Sequence, residues 1–224
     1  MGSITLFLLC GGWGPSSVEQ AVRCAHQAAA RDLLEALTQI PSIDLTVVAT
    51  DDPSWVGTIS DITVEIDIDP PGERFHFGRR LAALIERYKP ERVLYTGGGS
   101  APLLRHEQWA AVVNGLSQAE RLVITNNLHS CDWAGIASAQ DAAPLIEHAS
   151  SDNAIAWVLA REASFPVETL PASAGTRFDI DTPTDLLIAD RHPGIGRHLG
   201  RYLEELSWES KPLDGVLEEM AQDG

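Results

Sequence analysis

The chain has 224 residues, 44% hydrophobic and 21% charged, which suits one domain of generous size and excludes global disorder. Acidic residues outnumber basic ones 32 to 16, giving a formal charge of −16 with no basic run, so nucleic acid and anionic membrane surfaces are poor partners. The three scattered cysteines, Cys10, Cys24 and Cys131, form no CxxC, and no apolar stretch is long enough to span a membrane, so a reducing, cytoplasmic setting is expected.

A small phosphorylated ligand remains compatible with this charge, because backbone N–H groups, a few arginines and a divalent metal act locally. The cations are nearly all arginine; Lys89 and Lys211 are the only lysines.

In chain order, the apolar run Ile4–Cys10, stopped by glycines, predicts a central strand covered on both faces rather than a leader. Val18 to Leu37 predicts a long helix, with Val22, Ala25, Ala29, Leu33, Ala36 and Leu37 at steps of three and four. Ile43–Thr50 is β-branched and reads as a strand. Asp61–Asp67 alternates Ile62, Val64 and Ile66 with polar residues, as a strand with one wet side does. A helix over Phe77 to Tyr88 follows, then strand Arg92–Thr96, helix His106–Leu116, and strands Leu122–Thr125 and Trp133–Ala137. Asp152–Glu162 reads as a helix capped by Asp152 or Ser151. Such alternation predicts an α/β fold, a three-layer αβα sandwich around a mostly parallel sheet. His192-Pro193-Gly194 marks the only boundary, dividing a domain of residues 1–190 from a helical tail of 191–224. In that tail Leu199, Leu203 and Leu206, and later Leu213, Val216 and Leu217, suit short amphipathic helices that pack back on the core or form a homodimer contact.

Three segments carry chemistry. Gly11, Gly12 and Gly14 follow the first strand, where a loop can cradle phosphate or simply turn. Gly97, Gly98, Gly99 and Ser100 follow a later strand; the run suits a ligand lying against the main chain, with a plain surface turn as the alternative. In Asp179-Ile180-Asp181-Thr182-Pro183-Thr184-Asp185, Thr182, Pro183 and Asp185 form a helix start, whereas Asp179 and Asp181 alternate onto one face. Paired carboxylates repel without a cation between them, and magnesium with phosphate oxygens fits that arrangement.

These segments together resemble the nucleotidyltransferases of the glycosyltransferase-A, or nucleotide-diphospho-sugar transferase, fold. The likeness covers residues 4–190 and is nearest to molybdenum-cofactor and 2-phospholactate guanylyltransferases. It implies that Asp181, with Asp179 nearby, binds Mg2+ or Mn2+, and that the glycines surround a nucleoside triphosphate. A small phosphorylated metabolite would then attack the α-phosphorus and release pyrophosphate. The chain departs from the family in two places. Gly99 and Ser100 stand where a second metal-binding Asp is expected, and the first loop lacks its Arg and Lys. Arg23 and Arg31, with His26, are the nearest substitutes as catalytic cations.

A fourth segment, Thr125 to Trp133, concentrates polar groups after a strand. Asn126, Asn127 and Asp132 are candidates for acceptor binding there, with an Asx-rich turn as the alternative. Arg79 and Arg80 occupy the first turn of a helix, where the dipole disfavours cations, which suggests a nearby anion, either a phosphate or, in preference, Asp67 or Asp69. Two rival functions share this fold: glycosyl transfer from a nucleotide sugar, and nucleotide binding without turnover.

Overall fold

A computed structural model of the chain describes residues 2–58, 62–70, 72 and 75–206. Seven strands form one sheet in the order β3-β2-β1-β4-β6-β5-β7. They are β1 (Ile4–Leu9), β2 (Ile43–Thr50), β3 (Glu65–Ile68), β4 (Arg92–Gly97), β5 (Leu122–Thr125), β6 (Trp133–Ala137) and β7 (Val167–Thr169). All run parallel except β6, which lies antiparallel between β4 and β5.

Two helical layers cover the sheet. On one face α1 (Ser17–Leu37) and α3 (His106–Gln118) bury Leu33, Leu34, Trp109 and Val113 against Ile4, Leu6 and Leu8 of β1. On the other, α2 (Phe77–Tyr88), α4 (Ala139–Ile146) and α5 (Ile155–Glu162) bury Leu81, Ile85, Ala142 and Leu159 against Phe7, Val93 and Tyr95. The β1 side chains thus alternate between two cores, as a strand covered on both faces requires. Each large apolar side chain withdrawn from water contributes about 1.5–3 kcal/mol. The three-layer αβα sandwich with a mostly parallel sheet is as the sequence predicts.

A third cluster forms where α1 also meets α7 (Pro183–Asp190) and α8 (Arg197–Leu206). Val22, Ala25 and Ala29 there face Leu186, Leu199 and Leu203. Leu199 and Leu203 are buried, so this part of the tail packs back on the core. Leu213, Val216 and Leu217 lie outside the described residues. A short α6 (Ala174–Arg177) precedes the segment leading into α7.

The edge strand β3 corrects one reading. Its alternation exists, but Ile66 and Ile68 are exposed and Asp67 is the buried residue. The Asp67 carboxylate is held by Arg80 at 3.0 Å, Arg87 at 2.8 Å and the Tyr88 hydroxyl at 3.1 Å, while Arg80 also reaches Asp69 at 2.8 Å. A buried charge fully paired this way reverses the inside–outside pattern that hydrophobicity alone predicts. The cation in the first turn of α2 is compensated by the same pairs.

Candidate functional site

The carboxyl ends of β1 and β4 open on a cavity of about 370 Å³. Gly11 and Trp13 wall it from the first loop, Gly97 to Ser100 from the second, and Asp179 to Asp181 from the strand-like segment before α7. The third segment is fastened to the second: Ser100 and Asp179 form an antiparallel bridge, and the Ile180 amide donates to the Gly99 carbonyl at 3.1 Å. All three glycine- and aspartate-bearing turns therefore meet on one rim of the sheet, where open α/β folds bind ligands.

The local sequence explains each placement. Ser16 and Glu19 close a capping box that starts α1, which leaves Gly11 to Pro15 as the turn above β1. Gly12 adopts φ +84, a conformation open to glycine, and its amide donates to the Asp51 carboxylate at 3.2 Å. One N–H of the first loop is thus already occupied by an acid from the end of β2. The glycines of the second loop have a packing purpose, which neither the ligand-contact reading nor the surface-turn alternative includes. A Cβ on Gly98 would lie 2.8 Å from Cys10 Sγ, and one on Gly99 would meet the His26 ring at 2.4 Å. The His26 Nε2–H donates to the Ile180 carbonyl, and the ring stands edge-on to Trp13. Burial lowers the His26 pKa, favouring the neutral ring, so this side chain brings no cation to the cavity.

Before α7, Pro183 opens the helix, and one oxygen of Asp185 accepts from the Asp181 amide (3.1 Å), the Thr182 amide (2.7 Å) and the Thr182 hydroxyl (2.8 Å). Asp185 closes the capping box of α7 from its third position, with Thr182 as the N-cap, and it also fixes the backbone that presents Asp181. Asp179 is pushed far above the usual carboxylate range, first by burial, then by Asp181 and Asp132.

Asp132 lies on the same wall, and so does a loop that the sequence offers only as a helix cap, Ser150 to Asn153. Burial raises the pKa of Asp132. Asp152 is pushed up to about 6 by burial and then by Asp132. With Asp69, also raised by burial, the cavity presents five carboxylates: Asp69, Asp132, Asp152, Asp179 and Asp181. No lysine or arginine is among its described lining residues.

The remaining expected residues lie elsewhere. Arg23 is paired with Asp52 at 2.9 Å and Asp51 at 3.7 Å, and Arg31 donates to the Trp55 carbonyl at 3.2 Å; neither lines the cavity. Asn126 is 1% exposed and stands behind Asp132, donating to its carboxylate and accepting from its amide at 3.1 Å. Asn127 accepts from the His129 amide at 3.2 Å in an Asx turn, away from the cavity wall. Phe75 and Phe77 complete the wall, and neither carries a sequence signal beyond preceding a helix.

A second cavity of about 720 Å³ adjoins the first across the shared walls Asp69 and Phe75. It lies beside the start of α2 and holds Ile68, His76, Arg79 and Arg80.

No family model matches the sequence, and no curated protein matches it either. Solved structures do match in shape. A protein of Desulfovibrio desulfuricans G20, provisionally named a nucleotide-diphospho-sugar transferase, superposes with a TM-score of 0.67 at 13% identity, over 92% of this chain and 95% of that one. A nucleotidyl transferase from Methanothermobacter thermautotrophicus gives 0.62 at 13%, over 89% and 98%. CMP:2-keto-3-deoxy-manno-octonic acid synthetase, solved with CTP, gives 0.57 at 12%, over 85% and 100%. At these identities the likeness is one of fold, and the fold is of the nucleotide-diphospho-sugar transferase type.

Proposed function

We propose that this chain is a metal-dependent nucleotidyltransferase, moving a nucleoside monophosphate from a triphosphate to a small phosphorylated acceptor with release of pyrophosphate. One observation carries the reading: on this fold, Asp179 and Asp181 are brought together to the glycine-walled rim as a mutually repelling pair. Such a pair fits a magnesium or manganese ion, which takes one or two carboxylates and fills its remaining positions with phosphate oxygens and water. When bound, the ion would neutralise charge on the triphosphate, which this wall of carboxylates otherwise repels.

The protein's own groups divide the other tasks. The Asp185 carboxylate, which accepts from the Asp181 and Thr182 amides, and the Ser100–Asp179 bridge hold the metal-binding segment in place. The close-packed Gly98 and Gly99 let the main chain form the cavity floor without side chains intruding. Trp13 and Phe77 exclude water from either side, and Asp132, held by Asn126, faces the acceptor.

Nucleotide affinity measured with and without magnesium tests this reading. Asp181→Ala should lower metal-dependent affinity by at least about tenfold while leaving the fold intact, because Asp181 is exposed. Unchanged affinity would remove the site assignment. The lack of an arginine or lysine on the described wall favours a second reading, a nucleotide-binding protein without turnover. Pyrophosphate release from a panel of triphosphates and phosphorylated acceptors separates the two.

A further inference from the structure

After Asp179 and Asp181 are assigned to a metal, two carboxylates on the cavity wall still lack a counter-charge. Among the described residues, neither Asp132 nor Asp152 forms an ion pair; Arg177 acts on Asp132 only as the smallest of the influences on it. Both are deliberately placed. The buried Asn126 side chain donates to the Asp132 carboxylate and accepts from the Asp132 amide at 3.1 Å, while the Thr125 hydroxyl donates to the Trp133 carbonyl at 2.7 Å and steadies the same turn. Asp152 is carried on a loop stitched to the Asp132 loop by three hydrogen bonds. The Cys131 amide donates to the Asn153 carbonyl at 3.2 Å, the Cys131 thiol to the Asp152 carbonyl at 2.9 Å, and the Ser130 hydroxyl to Asn153 Oδ1 at 3.0 Å. Carboxylates oriented by buried amides and cross-linked loops are preorganised for a ligand. Two aromatic rings, Phe75 and Phe77, share this wall; Phe75 is 51% exposed, and Phe77 is fixed edge-on against Tyr95.

Carboxylates with aromatic faces and no resident cation form a receptor for an ammonium group. A purely anionic acceptor would add its phosphate charge to a cavity already holding a triphosphate and several aspartates. We propose that the acceptor of this chain is a phosphorylated amine, whose ammonium group is received by Asp132 and Asp152 while its phosphate is the nucleophile. The proposal rests on the nucleotidyltransferase reading and narrows its substrate class. It also narrows the acceptor-binding role expected for Asp132 to that of a partner for cationic nitrogen.

The test uses the full chain with magnesium and the α,β-methylene triphosphates of the four common bases, which bind without turning over. Calorimetry first establishes which analogue binds. Aminoethyl phosphate and its trimethylammonium counterpart are then titrated against hydroxyethyl phosphate, a near-isostere without the positive charge. The expected result is a preference of about tenfold or more for the charged pair, reduced to near parity in Asp152→Asn, with analogue affinity unchanged in that variant. Asp132→Asn, which keeps the shape and the contacts to Asn126, should act in the same direction. Equal binding of the charged and uncharged acceptors, or a preference that survives both substitutions, would overturn the inference while the bound analogue still supports the nucleotidyltransferase reading. If no analogue binds with magnesium, the reading itself fails, and this inference fails with it.

Discussion

Two groups of carboxylates in this molecule are withdrawn from water, and they are treated in opposite ways. At the sheet edge, Asp67 is 4% exposed and is enclosed by Arg80, Arg87 and Tyr88. At the cleft, Asp132, Asp152 and Asp179 are partly buried beside the exposed Asp181, with no arginine or lysine among the described residues of the wall. The first group is a closed circuit of charge that holds α2 to β3. The second is left open, so its electrostatic cost persists until something positive arrives. Burial of an acid therefore does not mark a ligand site; burial without a partner does.

The sharpest way to break the contrast is to open the closed group. Asp67→Ala strands Arg80 beside a single remaining acid, and stability measured by urea unfolding should fall by about 3 kcal/mol. The loss stays at the low end for a buried pair because Arg80 keeps Asp69 and the Arg87 side chain is 66% exposed.

The opposite sign is expected at the cleft. Asp152 has its folded-state pKa raised from 3.8 to about 6, so the folded protein holds that proton more tightly than the unfolded chain does. Stability is therefore lost as pH rises through this window, is fully retained below about 3.8, and is fully penalised above about 6. Asp152→Asn should raise stability at pH 7.5 in metal-free buffer by about 1–3 kcal/mol, and the gain should vanish near pH 3.5. A gain that does not depend on pH would show that the carboxylate is not under this strain.

The smallest effect sharpens the comparison without any substitution. Magnesium alone should raise the melting temperature of the native chain but not that of Asp181→Ala. At ten times its dissociation constant the gain corresponds to about 1.4 kcal/mol. An equal shift in both proteins would place the ion elsewhere.

Much of the frame can be read from residue types alone. Ile4–Leu9, Ile43–Thr50, Arg92–Gly97 and Leu122–Thr125 are apolar runs ended by glycine or polar residues, and each is a buried strand. The start of α7 was equally legible, because Thr182, Pro183 and Asp185 have strong positional preferences. Other elements gave little signal. Helix α4 contains Pro144 and starts after Ser138 at φ 65, so neither its interior nor its boundary looks helical. The strand β7 has three residues, too few for a period to show. The faces of β3 were hidden by the Asp67 pairs, which join residues up to 21 positions apart.

At the cleft, the sequence pointed to Asp179, Asp181 and the two glycine turns because their spacing is unusual for a strand or helix. It did not reveal Ser150 to Asn153, whose composition matches any helix cap and whose position depends on hydrogen bonds to Ser130 and Cys131. Nor did it show that Arg23 is already engaged with Asp51 and Asp52, since only the fold brings the end of β2 beside α1.

The reversed strand β6 has a consequence for change over time. A strand running against its neighbours begins where theirs end, so the chain leaves β5 at Thr125 and re-enters the sheet at Trp133 on the same side. The residues between are bounded by two fully formed ladders and need no crossover helix. That short return is where new residues can be inserted, and a different guest accommodated, with least disturbance to the frame on either side.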